Sequence, residues 1–284
     1  MGCEMPKAVF IDFDGTYADR GQVPAGHVAA VREARRNGHH VFLCTGRPKA
    51  MVPPRILDSV FDGMVGAAGG YVEVGDRVLA DTRFPGDLAE RVVAVLAAHD
   101  ATFILEAPDA LYGPPGIQER LREILGAALG SDGPHDGVDD ILRHLRAVPD
   151  PAAASFGKVT IFASPVAVSE LAHMVGPRVG ALPNSVTGLT GHAGEIHLRG
   201  VNKAVGIEVA AAHLGVERGD IIGIGDGHND LEMLAHAGTA VVVEGAAPEV
   251  MALADHVVEP PHRSGLVRGF AELGLTAVAD DLSP

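Results

Sequence analysis

Cysteine is almost absent, with Cys3 and Cys44 the two in a chain of 284 residues. One sits near the start, and the other ends the apolar run His40-Val41-Phe42-Leu43-Cys44. No disulfide framework can be built from them, and a reducing compartment is expected. Basic residues are also few: 22 Lys and Arg against 37 Asp and Glu give a net charge of -15. A nucleic-acid binder needs a basic footprint, so nucleic acid is not expected as a partner. The same charge would repel a phosphorylated small molecule unless cations gather locally, as a metal ion, as placed Lys and Arg, or as both. No apolar run reaches the length of a membrane span, and none near Met1 is long enough for a signal peptide. The expected location is the cytoplasm, with no membrane and no obligate protein partner. Of the 14 histidines, none falls in a His-Glu-x-x-His spacing, so His39-His40, His192 and His197 are read as strand or surface residues rather than zinc ligands.

What is present is an ordinary globular composition, 47% hydrophobic and 21% charged. Short apolar runs rich in β-branched residues alternate with Ala-rich stretches of helical length, the pattern of an α/β protein with a parallel sheet. Strands are read at Ala8 to Phe13, His40 to Cys44, Met64-Val65, Ile221 to Ile224 and Thr239 to Val243, and a hairpin at Tyr71 to Asp81. Helices are read at Pro24 to Asn37, Val201 to Leu214, Asn229 to Ala235 and Val250 to Ala254. The texture changes after Phe84-Pro85. Between there and about Thr190 come helices at Asp87 to His99, Ile117 to Leu129 and Val166 to Met174, and strands at Ala101 to Glu106, Lys158 to Ala163 and around Val179 and Val186, with a loop at Ser131 to Asp136. The expected architecture is a doubly wound, Rossmann-like parallel sheet core over residues 1–83 and 191–284, interrupted by an α+β domain over residues 84–190.

Four segments could carry chemistry. Asp12-Phe13-Asp14-Gly15-Thr16 ends the first strand, where open α/β sheets bind ligands. Strand alternation would place Asp12 and Asp14 on one side, a costly arrangement unless a cation lies between them or one takes a proton. A polar strand end followed by a turn would look similar. Thr45-Gly46-Arg47 ends the second strand and offers a hydroxyl, a flexible backbone N–H and a guanidinium to an oxyanion, although a capping Thr alone would also explain it. Gly223-Ile224-Gly225-Asp226-Gly227-His228-Asn229-Asp230 follows an apolar strand and opens a helix. It is half of a dinucleotide fingerprint, but His228 stands where the third glycine would be and Asp226 would repel a pyrophosphate. With Asp226 and Asp230 the loop suits a hard cation better. Lys203 begins a helix shortly before that strand, placed either in solvent or in a salt bridge at the site. Cys44 is read as core filler rather than a nucleophile.

Together these segments resemble the haloacid dehalogenase superfamily, in particular its Cof-type branch of phosphatases. Asp12-Phe13-Asp14-Gly15-Thr16 matches the first motif, Thr45 the second, Lys203 the third, and Gly225-Asp226-Gly227-His228-Asn229-Asp230 the fourth. The insertion between Thr45 and Lys203 stands where that branch carries its large cap domain. The resemblance implies that Asp12 is the nucleophile, forming an aspartyl-phosphate, and that Asp14 is the general acid and then base. It implies Mg²⁺ held by Asp12, the backbone carbonyl of Asp14, and Asp226. Thr45 and Lys203 would hold phosphoryl oxygens, Gly46, Arg47 and Asn229 would contact substrate or phosphate, and Asp230 would support the metal or Lys203. The implied partner is a small phosphorylated metabolite such as a sugar phosphate; a phosphomutase, or a silent phospho-ligand-binding protein, would share these residues. Two positions depart from the branch: Tyr17 replaces a leucine, and Gly69-Gly70 replaces Asn-Gly. On the inserted domain, Lys158 is a candidate to reach substrate, while few aromatics and no arginine cluster disfavour a nucleotide base or a polyphosphate.

Overall fold

The computed structural model of the chain describes residues 5–129, 141–183 and 192–277. In chain order, β1 (Ala8–Ile11), α1 (Ala25–Arg36), β2 (His40–Cys44), α2 (Pro54–Val60), β3 (Gly63–Gly66), β4 (Tyr71–Val74) and β5 (Arg77–Asp81) come first. The next run is α3 (Gly86–Ala98), β6 (Thr102–Glu106), β7 (Leu111–Gly113), α4 (Ile117–Leu129), β8 (Leu145–Ala147), β9 (Lys158–Ala163), α5 (Val168–Val175), β10 (Val179–Pro183) and β11 (Gly194–Leu198). The last is α6 (Lys203–Leu214), β12 (Ile221–Gly225), α7 (Leu231–His236), β13 (Thr239–Val243), α8 (Pro248–Met251), β14 (His256–Val258) and α9 (Gly265–Glu272). Two compact units result: Met1–Arg47, Val52–Ala80 and Asn202–Pro284 form the first, and Pro48–Met51 and Asp81–Val201 the second.

The first unit is built on an eight-stranded sheet of order β14-β13-β12-β1-β2-β3-β4-β5. Pairing is parallel from β14 through β3, and β4 turns back antiparallel on β3. β1 shows why the sequence Ala-Val-Phe-Ile makes a central strand. Its side chains alternate between two cores: Val9 and Ile11 pack with α1 and α9, and Ala8 and Phe10 with α6. None of the four is exposed, and burying a side chain the size of Val, Ile or Phe stabilises the fold by about 1.5–3 kcal/mol. Phe10 also stacks on Phe42 of β2, with ring centroids 5.1 Å apart. From β1 the chain moves one way to β2, and much later the other way to β12, so β1 lies where the strand order reverses. In such sheets that reversal opens a crevice beyond the carboxyl ends of the strands. Asp12, Thr45 and Asp226 are the residues that follow β1, β2 and β12.

The second unit has a six-stranded sheet of order β10-β11-β9-β6-β7-β8, antiparallel apart from the β7–β8 pair. One face packs Phe103, Leu105, Val159 and Ile161 against α3 and α5; the other packs Ile104 and Phe162 against α4. On that second face a charged network is buried. Lys158 Nζ lies 3.0 Å from Glu195 Oε1 and 3.2 Å from Glu106 Oε2, and Thr160 Oγ1 donates to Glu106 Oε1 at 2.6 Å.

The α/β reading of the sequence agrees with this architecture, and several local readings change. Gly194–Leu198, grouped from sequence with the resuming core, pairs antiparallel with β9 and β10 in the second sheet. The helix read from Asn229 begins instead as a 3-10 turn over His228–Asp230, with the α-helix starting at Leu231. There the Asp230 side chain turns back to the loop before it. The strand at Val186 and the loop at Ser131 to Asp136 lie outside the described residues. No described helix is long and apolar enough to cross a membrane.

Candidate active site

At Ile11 the chain leaves the sheet and folds into a tight loop. Gly15 N donates to Ala18 O at 2.9 Å, Ala18 N to Phe13 O at 2.8 Å and Tyr17 N to Asp12 O at 3.1 Å. β1 ends at Ile11, and beyond it the two carboxylates each meet a different cation. Asp12 Oδ1 accepts from Lys203 Nζ at 2.5 Å. Asp14 is gripped at both oxygens by Arg47, Nε to Oδ2 at 2.8 Å and Nη2 to Oδ1 at 2.7 Å. Gly15, at φ +89°, turns the loop where a Cβ would lie 2.3 Å from Asp226 Oδ2. Only glycine fits both the conformation and the approach.

Lys203 opens α6, whose N-terminus is capped by Asn202 Oδ1 accepting from Val205 N at 3.1 Å. It is buried and bridges Asp12 to Asp230, at 2.5 Å from each. Asp230 is fully buried, and its other oxygen accepts from Asp226 N at 3.1 Å and Gly227 N at 2.9 Å. One carboxylate therefore ties the loop after β12 to the lysine, which answers the sequence question of whether Lys203 stands in solvent. Asp226 accepts from Thr16 Oγ1 at 2.7 Å. Nothing in the sequence around Thr16 points to this partner, which stands 210 residues away and is met only in the folded loop.

Thr45 is buried, and its Oγ1 accepts from Arg47 N at 3.1 Å. Its backbone is pinned on both sides, Thr45 N to Val65 O at 2.8 Å and Ala68 N to Thr45 O at 3.1 Å. Asn229 reaches from the opposite loop to Gly46, its Nδ2 3.7 Å from where a Gly46 Cβ would be. All nine sequence-nominated residues thus lie on loops after β1, β2 and β12 or at the start of α6. Cys44 is buried beside them, and burial pushes its thiol upward, as core filler rather than a nucleophile.

The electrostatics are those of excess negative charge. Burial raises the Asp12 carboxyl well above its usual range and Asp230 adds to the rise, while Lys203 pulls against it. Burial works against the Lys203 ammonium, but Asp12 and Asp230 outweigh it and keep it protonated. Burial lifts Asp226 to about 6 despite its bond from Thr16. Asp12, Asp226 and Asp230 each offer an oxygen, all within 4.8 Å of one another. Three carboxylates against one ammonium, with oxygen donors only, fit a hard divalent cation. Since Asp230 is already taken up by Lys203 and two N–H groups, Asp12 and Asp226 are the carboxylates with capacity left. Asp14, expected to contribute through its backbone carbonyl, has its carboxylate outside this group.

Comparison with known proteins agrees. The family model for haloacid dehalogenase-like hydrolases matches residues 9–270. YkrA of Bacillus subtilis strain 168, assigned as a phosphatase only provisionally, is 26% identical over 278 residues, covering 95% of this chain and 98% of its own. A phosphoglycolate phosphatase of Methanothermobacter thermautotrophicus is 25% identical over 262 residues, covering 92% and 95%. Among solved structures, the subclass IIB sugar phosphatase BT4131 superposes with a TM-score of 0.75 at 22% identity, covering 95% of this chain and 99% of that one, which speaks for the fold. With the matched model running from β1 into α9, this chain belongs to the haloacid dehalogenase-like hydrolases.

Proposed function

We propose that the protein is a Mg²⁺-dependent phosphatase that hydrolyses a small phosphomonoester, such as a sugar phosphate, through an aspartyl-phosphate on Asp12. The observation that carries this reading is the buried Asp12 carboxylate, fixed through one oxygen by Lys203 and set beside Asp226 and Asp230. A carboxylate aimed by a lysine and surrounded by metal-binding oxygens is arranged for attack on a dianion that would otherwise be repelled. The names of relatives point to the same substrate class: two are phosphoglycolate phosphatases and two dephosphorylate a ribitylaminouracil phosphate.

In this mechanism the Asp12 oxygen not bonded to Lys203 forms a bond to phosphorus as the ester P–O bond breaks. Asp14, protonated, gives its proton to the departing alkoxide. Water then attacks the phosphorus of the aspartyl-phosphate, Asp14 takes the proton back, and inorganic phosphate leaves with Asp12 restored. Lys203 and the Thr45 hydroxyl hold the phosphoryl oxygens, and Asp230 keeps the lysine in place. Mg²⁺, held by Asp12, Asp226 and the carbonyl of Asp14, would supply charge neutralisation for the phosphoryl group.

The test is phosphate release from a panel of phosphorylated metabolites, with Mg²⁺ and with EDTA, alongside Asp12→Asn. Turnover should require Mg²⁺ and fall at least ~10³-fold in the variant. A folded, metal-loaded protein that releases phosphate from no member of the panel would overturn the assignment.

A further inference from the structure

The helix α9 begins without a cap of its own: Ser264 stands at the N-cap, and its side chain makes no capping bond. One open N–H of the first turn, that of Leu266, is answered from another helix, where it donates to His27 Nε2 at 3.3 Å. The other ring nitrogen, Nδ1, lies 2.9 Å from the carbonyl oxygen of Tyr17. A carbonyl only accepts and a backbone N–H only donates. The two partners therefore fix one state of the ring, a neutral imidazole with its proton on Nδ1. His27 is fully buried on α1. Beside it Gly26 lets α9 close in, since a Cβ there would lie 2.9 Å from Val267 Cγ2.

A second proton would sit on Nε2, facing the Leu266 N–H at the positive end of a helix. The elements packed around the ring carry Tyr17, Asp19 and Arg20 on the loop, Arg32 on α1, and His262, Arg263 and Arg268 about α9. No charge among them acts on the imidazole: burial holds it neutral, and the Tyr17 carbonyl alone pulls the other way. Tyr17 closes the loop that starts at Asp12, and its N–H donates to Asp12 O at 3.1 Å. Its ring is fully buried against Phe61 and His27, with centroids 5.0 and 6.0 Å away. Its hydroxyl has no hydrogen-bond partner among the described residues. A hydroxyl buried in this way works against the state that buries it, so the loop needs a fastener.

We propose that neutral His27 is that fastener, a positioning residue that pins the loop of Asp12 and Asp14 to α9, and that a proton on His27 withdraws the pin and frees the loop. The part this loop plays in phosphoryl transfer is the reading given above, on which the regulation of turnover rests; the pin itself does not depend on it.

Hydrogen exchange of the full chain in EDTA, at about pH 7.5 and about pH 5 and corrected for intrinsic rates, reads the opening of the Tyr17, Ala18 and Leu266 N–H groups. The natural protein is compared with His27→Gln, in which the amide offers a donor and an acceptor but takes no proton. Asp226, lifted to about 6, titrates over the same range with the opposite sign, and does so in both proteins. A ring held neutral in the closed loop takes its proton when freed, so opening grows as pH falls below about 6.5. Opening in the natural protein relative to His27→Gln should rise about tenfold between the two conditions, with a ceiling of about 30-fold for a freed imidazole of ordinary pKa. An unchanged ratio would overturn the pin, and so would equal loss of protection in β12, which would mean global unfolding. Ring ¹⁵N spectra of the natural protein test the same point without a variant: they should place the His27 proton on Nδ1, and a proton on Nε2, or a pKa above about 6.5, would sink the proposal. Tyr17→Phe should close the loop more tightly at both pH values; a looser loop would overturn the part given to the hydroxyl. Turnover of any ester in the panel should show the same acid-side difference between the natural protein and His27→Gln. Acid release in a protein that hydrolyses no ester supports the pin and removes the phosphatase; turnover with a loop indifferent to acid does the reverse.

Discussion

In the proposed mechanism Asp226 sets folding against function within one side chain. Its carboxyl is lifted by burial from 3.8 to about 6, so between those values the folded protein holds a proton that the unfolded chain has lost. Stability of the metal-free protein therefore falls as pH rises from about 4 to about 6, and the loss from this group is complete above that window. Thermal melts in EDTA should show a downward slope across that range, reduced in Asp226→Asn, which should also melt higher than the natural protein at pH 7. Equal slopes in the two proteins would show that Asp226 is not under strain. Mg²⁺ should reverse the loss at neutral pH, since a ligand that binds only the folded state adds to its stability. This opposition was partly legible in the sequence: Asp226 and Asp230 in one loop announced a cation. The full burial of Asp230 was not, and neither was the bond from Thr16 to Asp226, because both depend on how three separate loops meet.

One element carries strain that no sequence signal announced. Between β3 and β4 the backbone turns through Ala67 and Ala68 at φ +48° and +54°, a left-handed conformation that costs an L-residue about 1–2 kcal/mol. The turn has a use. Ala67 N donates to Arg47 O at 2.9 Å and Ala68 N to Thr45 O at 3.1 Å. Next in the chain, Gly69 packs so close to α6 that a Cβ would lie 1.9 Å from Asn202 O. The turn thus braces the loop of Thr45 and Arg47 and touches the cap of the helix that presents Lys203. Ala68→Gly should stabilise the protein by about 0.5–1 kcal/mol, after allowing for the extra freedom of the unfolded chain, with activity retained; a lower melting temperature would show that the methyl group packs usefully. α1 was readable from its apolar period, and β2 and α6 from an unbroken apolar run and an Ala-rich stretch of helical length, whereas this turn depends on two alanines that would suit a helix equally well.

At the scale of the molecule, two units carry separate cores, and each contains a buried ion network of its own. Lys158 is 3% exposed and answers Glu106 and Glu195. Lys158→Met would leave those carboxylates without their cation, and breaking a buried pair in this way costs about 3–5 kcal/mol. Hydrogen exchange should then show protection lost in α3, β6 and β9 while β1 and β12 keep theirs; uniform loss across both sheets would mean that the units unfold as one. The doubly wound pattern was visible in alternating apolar runs, and the four chemical segments in their places at strand ends. The short strands β7 and β8 were not visible, because three residues carry no period. The strand order of the first unit also bears on synthesis. The register of β1 aligns Ala8 with Ile221, so the centre of the sheet lacks one neighbour until that distant stretch has left the ribosome. The second unit, whose six strands all lie between Asp81 and Val201, has its whole sheet available earlier. A nascent chain thus holds Asp12 at the unpaired edge of an unfinished sheet, and this carboxylate gains its lysine only when the last third of the protein arrives.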